Sequence, residues 1–467
     1  MSEAFIPPKP PLLPRKASLV DYMRIGLRSA VHMFKEGSYE TLTVGRINIP
    51  TFPFFKIRPF FIVRSAELVR EVLVGRAGDF PKSDLMADML GRLTGYSIFV
   101  SNGEAWRRQR KLMDPAFEAA RIRDIFPMML QAVDASVERF GAHAAAQPGQ
   151  PIMADVELTH FAADIIFQTI FSEPMDAESA RRFFDAFETF QEIAYAQGMM
   201  TLARLPTRLF PSTFRAWRAA KVIRSILEAP LRRRLEAIRH GRPVPDKDIL
   251  ASLLVARDDD GRGFTNKELL DQISMLFLAG HETSATALAW TLYLLAKCPH
   301  LQDRLYAEAA EVLGGRPPQF SDMKKLAFAR DVFRESMRLY PPVSMVARDA
   351  TKPEPMGNKT VQAGQVIFLP IWLVHRHRHY WDHPDVFDPD RFETENGREA
   401  QRCAYLPFSM GPRVCAGAAF ALQEATLFLA VISRRYRFLP APGPEPQPVA
   451  RLTLRSANGV RLIVEPR

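Results

Sequence analysis

Apolar positions recur at three- and four-residue spacing over most of residues 66–338, with short polar or proline-marked breaks, which predicts a succession of helices. Two stretches depart from that period. Residues 41–64 hold β-favouring apolar runs broken by Pro53 and Pro59, the pattern of a small sheet with edge strands. Near the C-terminus, LTLRSANGVRLIV predicts a hairpin turning at Asn458-Gly459. The expected fold class is mainly α, with a minor β-sheet region at the ends of the sequence. The longest periodic run begins at Thr265, where Thr265 and Glu268 have the spacing of a capping box, and ends at Cys298 before Pro299. At 1.5 Å per residue it would span roughly 50 Å, enough to cross a domain.

The middle of that run, residues 273–296, is the longest apolar stretch, but His281 and Glu282 stand at its centre. Charge at a bilayer centre is costly, so the run predicts a buried helix and no membrane span. The first residues show neither a leader pattern nor a spanning segment. The chain has 467 residues, 47% hydrophobic, which suffices for a large core. No repeat or composition break divides it, so residues 1–467 are expected to form a single domain. Within it, residues 1–40 would be a proline-rich segment and lead-in helix without a membrane anchor. The prolines of 7–14 and 440–448 read as stiff connectors.

An odd set of three cysteines (Cys298, Cys403, Cys415) argues against a disulfide framework and fits a reducing cytoplasm. The net charge of +10 suits an acidic protein partner. The arginines are scattered, with Arg232-Arg233-Arg234 a solvated helix face, so nucleic acid is not expected. His375, His377, His379 and His383 cluster, yet a structural role is a better reading than metal binding. Asp258-Asp259-Asp260-Gly261 hints at a calcium loop, but Ala256 and Lys267 occupy the first and twelfth positions, so a solvated turn is expected.

Four segments carry candidate chemistry. In Phe408-Ser-Met-Gly411-Pro-Arg413-Val-Cys415-Ala-Gly417 a thiol precedes an apolar helix starting near Ala418. The positive end of that helix favours thiolate over thiol, Arg413 adds a cation, and the glycines permit a tight turn and close approach to a flat partner. Alone, the loop suits a metal-ligating thiolate or a buried inert thiol. Ala279-Gly280-His281-Glu282-Thr283-Ser284 puts a glycine, a carboxylate and a hydroxyl inside the long helix. Glycine there costs stability, and Thr283 can bond back to Ala279 and bend the helix. A polar kink without chemistry explains these residues equally well. Glu335 and Arg338 share a helix face before Pro341-Pro342; by spacing alone they are a surface pair worth under about 1 kcal/mol. Trp106 and Arg110 also share a face.

Together, in the order they take along the chain, the segments resemble cytochrome P-450 over residues 40–465. The loop matches FxxGxRxCxG, residues 279–284 match [AG]Gx[DE]T[TS], residues 335–338 match ExxR, and Trp106 and Arg110 match WxxxR. Phe387-Asp-Pro389-Asp390-Arg391-Phe392 resembles the PERF region, with Asp390 in place of glutamate.

The resemblance implies a triangular helical prism with haem b (iron protoporphyrin IX) between the long helix and the cysteine loop. Cys415 would be the axial thiolate. Trp106, Arg110, Arg348, Phe408, Arg413 and Gly417 would bind the cofactor. Ala279, Gly280, Glu282 and Thr283 would form the oxygen-binding and proton-delivery segment, and Glu335, Arg338 and Arg391 a structural triad. Gln109, where some members carry histidine, leaves one propionate contact open.

The implied activity is monooxygenation of a hydrophobic small molecule, with O₂ as co-substrate. Electrons would come from a separate ferredoxin or flavodoxin with its reductase, docked near Arg107, Arg108 and Lys111. The expected protein is a cytoplasmic monomer of soluble bacterial type. Residues after Phe80, those near 195–200, Met275 and those of 343–345 would line the pocket, suiting a fatty acyl chain or terpenoid. A peroxide-driven or rearranging haem-thiolate enzyme and a haem-binding sensor are the alternatives.

Overall fold

The computed structural model describes residues 5–13, 25–26, 28–47, 60–202 and 210–467. Helices dominate: α1 (Ala66–Arg70), α2 (Asp84–Thr94), α3 (Gly103–Met113), α4 (Ala119–Ala146), α5 (Ala154–Phe171), α6 (Ala177–Leu202), α7 (Pro211–Arg239), α8 (Ile249–Val255), α9 (Asn266–Lys297), α10 (Pro299–Leu313), α11 (Ala327–Leu339), α12 (Ile371–Val374), α13 (Glu395–Ala404) and α14 (Ala418–Ser433).

The long helix forms where its caps placed it. The Glu268 N–H donates to the Thr265 hydroxyl at 3.3 Å, the Thr265 N–H donates to the Glu268 carboxylate at 2.8 Å, and Cys298 is the C-cap. From Ile273 to Ala296 nearly every side chain of α9 is buried or half-buried, as a helix apolar on all sides requires. Gly280 has a packing reason: a Cβ there would lie 2.9 Å from Ile166 Cδ1, so α5 approaches the backbone of α9 directly.

Strands β1 (Val44–Ile47), β2 (Phe60–Val63), β3 (Ile152–Met153), β4 (Val346–Asp349), β5 (Glu354–Met356), β6 (Lys359–Val361), β7 (Val366–Leu369), β8 (Tyr436–Pro440), β9 (Pro448–Ala450), β10 (Leu454–Ser456) and β11 (Arg461–Pro466) form small sheets. Two expectations need correction. The first sheet runs β1-β2-β7-β4, with β2 parallel to β7, so β2 is internal and half of the sheet comes from residues 346–369 rather than the sequence ends. Pro53 and Pro59 lie outside the described residues. Asn458-Gly459 does turn, with Gly459 at φ +75°, but no hairpin results. β10 pairs with β9, whereas β11 pairs with β3 and β8. The turn passes the chain between two sheets, because the partners on either side come from distant sequence.

Two apolar cores result. The larger is helical and includes Phe161, Ile166, Phe277, Trp290, Phe333 and Phe428. The smaller lies under the first sheet and includes Phe61, Val69, Leu73, Ile367 and Trp381. The cysteine loop bridges them: Phe408 packs on the first core and Met410 on the second. The proline-rich lead-in is bound to the body where it is described, with the Tyr340 hydroxyl donating to Pro8 O at 2.6 Å and Leu13 N–H to Phe34 O at 3.0 Å.

Candidate active site

The loop before α14 is held by backbone. Gly411 is at φ +72°, and a Cβ there would fall 2.1 Å from Leu73 O, so only glycine fits. The Cys415 N–H donates to Phe408 O at 3.0 Å, closing the turn. Gly417 is a different case: its φ is −86°, and an added Cβ would meet only Phe117 Cε1 at 3.9 Å. Protein packing therefore does not exclude a side chain there, and a flat group laid against the loop would.

Cys415 is exposed as a residue, although protein surrounds the loop closely. Burial pushes its thiol up, opposed by the Gly417 N–H and by Arg110 and Lys82. The helix end thus does not by itself deliver the thiolate expected from sequence. Desolvation outweighs it, and a coordinating cation is needed to deprotonate the sulfur.

Cations gather around this thiol. Arg110, on α3, donates to Val414 O at 2.7 Å and pairs with Asp114 at 2.5 Å. Arg413 lies over the Trp106 ring at 4.0 Å and donates to Ser101 O at 3.0 Å and Asn102 Oδ1 at 2.8 Å. Arg348, on β4, is 5% exposed and donates to Ala347 O, with no carboxylate partner among the described residues. Lys82 donates to Phe99 O at 2.9 Å. Burial, then Arg348 and Arg110, lowers Arg413 to about 9; burial lowers Arg348 to about 10. Burial, Arg413 and Arg348 together hold Lys82 well below the usual lysine range. Desolvated like charges so close require anions, and a cofactor with a metal and two carboxylates fits both the thiol and the cations. Lys82 was missed as a member of this cluster; between Asp79 and Asp84 it reads as an ordinary surface charge, and nothing local marks it. Gln109 faces elsewhere, accepting from Ser101 Oγ at 2.7 Å and donating to Tyr96 O at 2.7 Å.

On α9 the Thr283 hydroxyl donates to Ala279 O at 2.5 Å, as the sequence allowed. Glu282 turns to another side. Arg455 on β10 grips its carboxylate through Nε and Nη2, Thr453 donates to it, and Gln191 of α6 donates at 2.8 Å. Ser284, two positions further on, bonds to Glu424 on α14, which ties the long helix to the helix that follows Cys415. Glu424 is buried with no cation paired to it among the described residues, and burial raises its carboxyl to about 8. His281 is caged by Phe183, Phe187 and Phe277, both ring nitrogens are without a partner among the described residues, and burial lowers it to about 4. A cavity of about 40 Å³ lies beside this region, lined by Asp155, Thr159, Thr286, Arg455 and Ser456 among others.

Glu335, Arg338 and Arg391 come together in full burial. Arg338 Nε and Nη2 bond the Glu335 carboxylate at 2.7 and 2.8 Å, and Arg391 Nε reaches it at 3.1 Å. Arg338 also donates to Pro384 O at 2.7 Å and Val386 O at 3.1 Å, pinning the segment before Arg391. Asp390, the departure from PERF, pairs at the surface with Arg304 at 2.7 Å.

The expected docking cations are mostly engaged. Arg108 pairs with Asp258 at 2.6 Å and Glu268 at 2.9 Å, and Lys111 pairs with Asp259, leaving Arg107. The acidic loop is thus occupied by side-chain cations. Among the described residues no cluster of three His, Cys, Asp or Glu side chains could hold a metal ion, and no helix is long and apolar enough to cross a membrane.

The family model described as Cytochrome P450 matches residues 50–462. Cyclooctatin synthase of Streptomyces melanosporofaciens is 32% identical, covering 88% of this chain and 87% of that protein. Cyclooctat-9-en-7-ol 5-monooxygenase of the same organism is 32% identical, covering 81% and 80%. The crystal structure of the cytochrome P450DA haem domain shares the fold, with a TM-score of 0.80 over 99% of this chain and 97% of that one at 24% identity.

Proposed function

The chain belongs to the cytochrome P450 family and is an oxidoreductase of the monooxygenase type, using haem iron and O₂; on that premise we propose that it holds haem b on Cys415 and hydroxylates a hydrophobic small molecule. The observation that carries this reading is Cys415 among Lys82, Arg348 and Arg413, desolvated cations whose charges call for carboxylates, with Arg110 bonded to Val414 O beside it. Trp106 supports Arg413, and Phe408 and Gly417 complete the seat. Bound haem supplies oxygen activation and O–O cleavage, which a thiolate ligand favours.

The chain's own part is to bind, orient and move protons. Thr283 keeps its hydroxyl in the groove of α9 by its bond to Ala279 O. Glu282 is the carboxylate next to it, held by Arg455, whose side chain is 41% exposed. The cavity beside Arg455 is large enough for water, so Arg455 and Glu282 offer protons a route from solvent to the turn of α9 that carries Thr283. Gly280 keeps this turn of α9 against α5.

The substrate is an apolar molecule such as a terpenoid or a fatty acyl chain. The names of relatives, cyclooctat-9-en-7-ol 5-monooxygenase and 11-oxo-beta-amyrin 30-oxidase, are in keeping with this. We read residues 1–467 as one domain, a monomer in the cytoplasm, receiving electrons from a ferredoxin or flavodoxin with its reductase. The net charge of +10 favours such an acidic partner.

The test is the absorption spectrum of the dithionite-reduced protein with and without CO. A strongly red-shifted Soret band that Cys415→Ser abolishes is expected. A normal haem position in the unaltered protein overturns the reading. Thr283→Ala then separates electron use from product; unchanged coupling removes Thr283 from the proton path.

A further inference from the structure

His375 belongs to the histidine cluster that the proposed function does not use. It is fully buried at the C-cap of α12, where its N–H donates to Ile371 O at 2.9 Å. Each of its ring nitrogens makes a hydrogen-bond contact. Nδ1 lies 3.1 Å from Arg338 O, and the Leu406 N–H reaches Nε2 at 2.7 Å. A carbonyl only accepts and a backbone N–H only donates, so Nδ1 carries the hydrogen, Nε2 accepts, and a single neutral tautomer satisfies both. Burial, then the Arg338 cation, lowers this imidazole to about 3, which keeps it neutral across the working range.

The connection is doubled. Arg338 Nη1 donates back to His375 O at 2.8 Å, the His375 ring stacks on Tyr405 at 5.5 Å, and the Tyr405 hydroxyl donates to Arg334 O at 3.0 Å. Tyr405 and Leu406 are thus fastened to α11 at two points. From Leu406 the order passes directly into the cysteine loop. Leu406 O accepts from the Ser409 N–H at 3.0 Å, in a turn where Ser409 takes φ +61°, unfavourable for a residue with a Cβ. Phe408 O in turn accepts from the Cys415 N–H at 3.0 Å.

We propose that His375 is the positioning residue that couples the Glu335–Arg338–Arg391 triad to the cysteine loop, setting where Cys415 presents its sulfur. It acts through Leu406 and touches neither cofactor nor substrate. The loop's glycines and the left-handed Ser409 give it little rigidity of its own, so its geometry must be imposed from a buried anchor. The triad supplies one, and His375 is a side chain that bonds both. The inference rests on Cys415 as the haem ligand.

The test compares His375→Leu with His375→Gln in the purified, haem-loaded protein. Leucine fills the site but leaves Leu406 N–H and Arg338 O unpaired, whereas glutamine offers an N–H and a carbonyl oxygen at similar reach. Amide hydrogen exchange and the reduced CO spectrum are the readouts. Expected for His375→Leu is exchange at Leu406, Ser409 and Cys415 faster by roughly tenfold or more, the worth of a buried bond, with part of the red-shifted Soret band moved to the normal haem position. His375→Gln should keep both near the unaltered protein. Unchanged loop exchange and an unchanged band in His375→Leu would overturn the proposal. So would exchange that accelerates evenly across the molecule, which marks general stability, or a glutamine variant as impaired as leucine. If the unaltered protein lacks the red-shifted band, the Cys415 reading fails, while loop exchange still decides whether His375 holds the loop.

Discussion

Replacing Glu424 by glutamine should convert one buried proton into a measurable pH dependence. Glu424 is 1% exposed, its hydrogen-bond partner is the Ser284 hydroxyl, and burial raises its carboxyl from 4.5 to about 8. The folded state therefore keeps a proton that the unfolded chain releases above 4.5. Its contribution to stability is fully present below pH 4.5 and is lost as pH rises through 8, at about 1.4 kcal/mol per pH unit. Between pH 5 and pH 8 the loss is about 3 kcal/mol. Glutamine has the same shape and cannot ionise, so the variant should gain that amount relative to the parent over the same interval. Unfolding entropy scales with chain length, so for a chain of 467 residues 1 kcal/mol moves the unfolding midpoint by about 1 °C. The assay is thermal unfolding of both proteins at pH 5, 6, 7 and 8. The midpoint difference, variant minus parent, should grow by about 3 °C across the series, and other titrating groups cancel in it. A difference that stays constant with pH refutes the argument, because it means that Glu424 has found a cation or water and is already ionised.

Removing the Arg338 side chain (Arg338→Leu) leaves the Glu335 carboxylate buried with Arg391 and frees the carbonyls of His375, Pro384 and Val386. The expected cost is about 3–5 kcal/mol, read as a lower midpoint or loss of soluble protein, with partial recovery in the Glu335→Leu/Arg338→Leu double variant. His281 has a lowered value of about 4, so its neutral form contributes stability above the unfolded value of 6.5 that is lost as pH falls towards 4. His281→Leu should raise the unfolding midpoint by about 2 °C more at pH 5 than at pH 7. Gly280→Ala should destabilise by about 1–3 kcal/mol despite alanine's better helix propensity, because the new methyl meets Ile166. Unfolding of the Gly280→Ala/Ile166→Val pair should show most of that loss restored.

The sequence by itself determined what local chemistry controls. Thr265 and Glu268 cap their own helix, Pro299 stops it, and the run between them is apolar on every side, so α9 was legible nearly to the residue. The cysteine loop, the Thr283 back-bond and the Glu335–Arg338 pair were legible for the same reason: each depends on residues within a few positions. The partners that give those residues their character come from far along the chain, and only the tertiary structure decided them. Arg455 captures Glu282 across 173 positions, and Glu424 meets Ser284 across 140. Arg108 is taken by Asp258, which removes a cation that spacing alone left open. Asn458-Gly459 reverses the chain as its residues require, yet which strands pair is settled by β8 and β9. Cys415 shows the division most sharply. Its place before α14 is written in sequence, but burial outweighs the helix end, and the cations that answer its site arrive from α3, β4 and the segment after Phe80. Charge and desolvation act through space, and a sequence records only order along the chain.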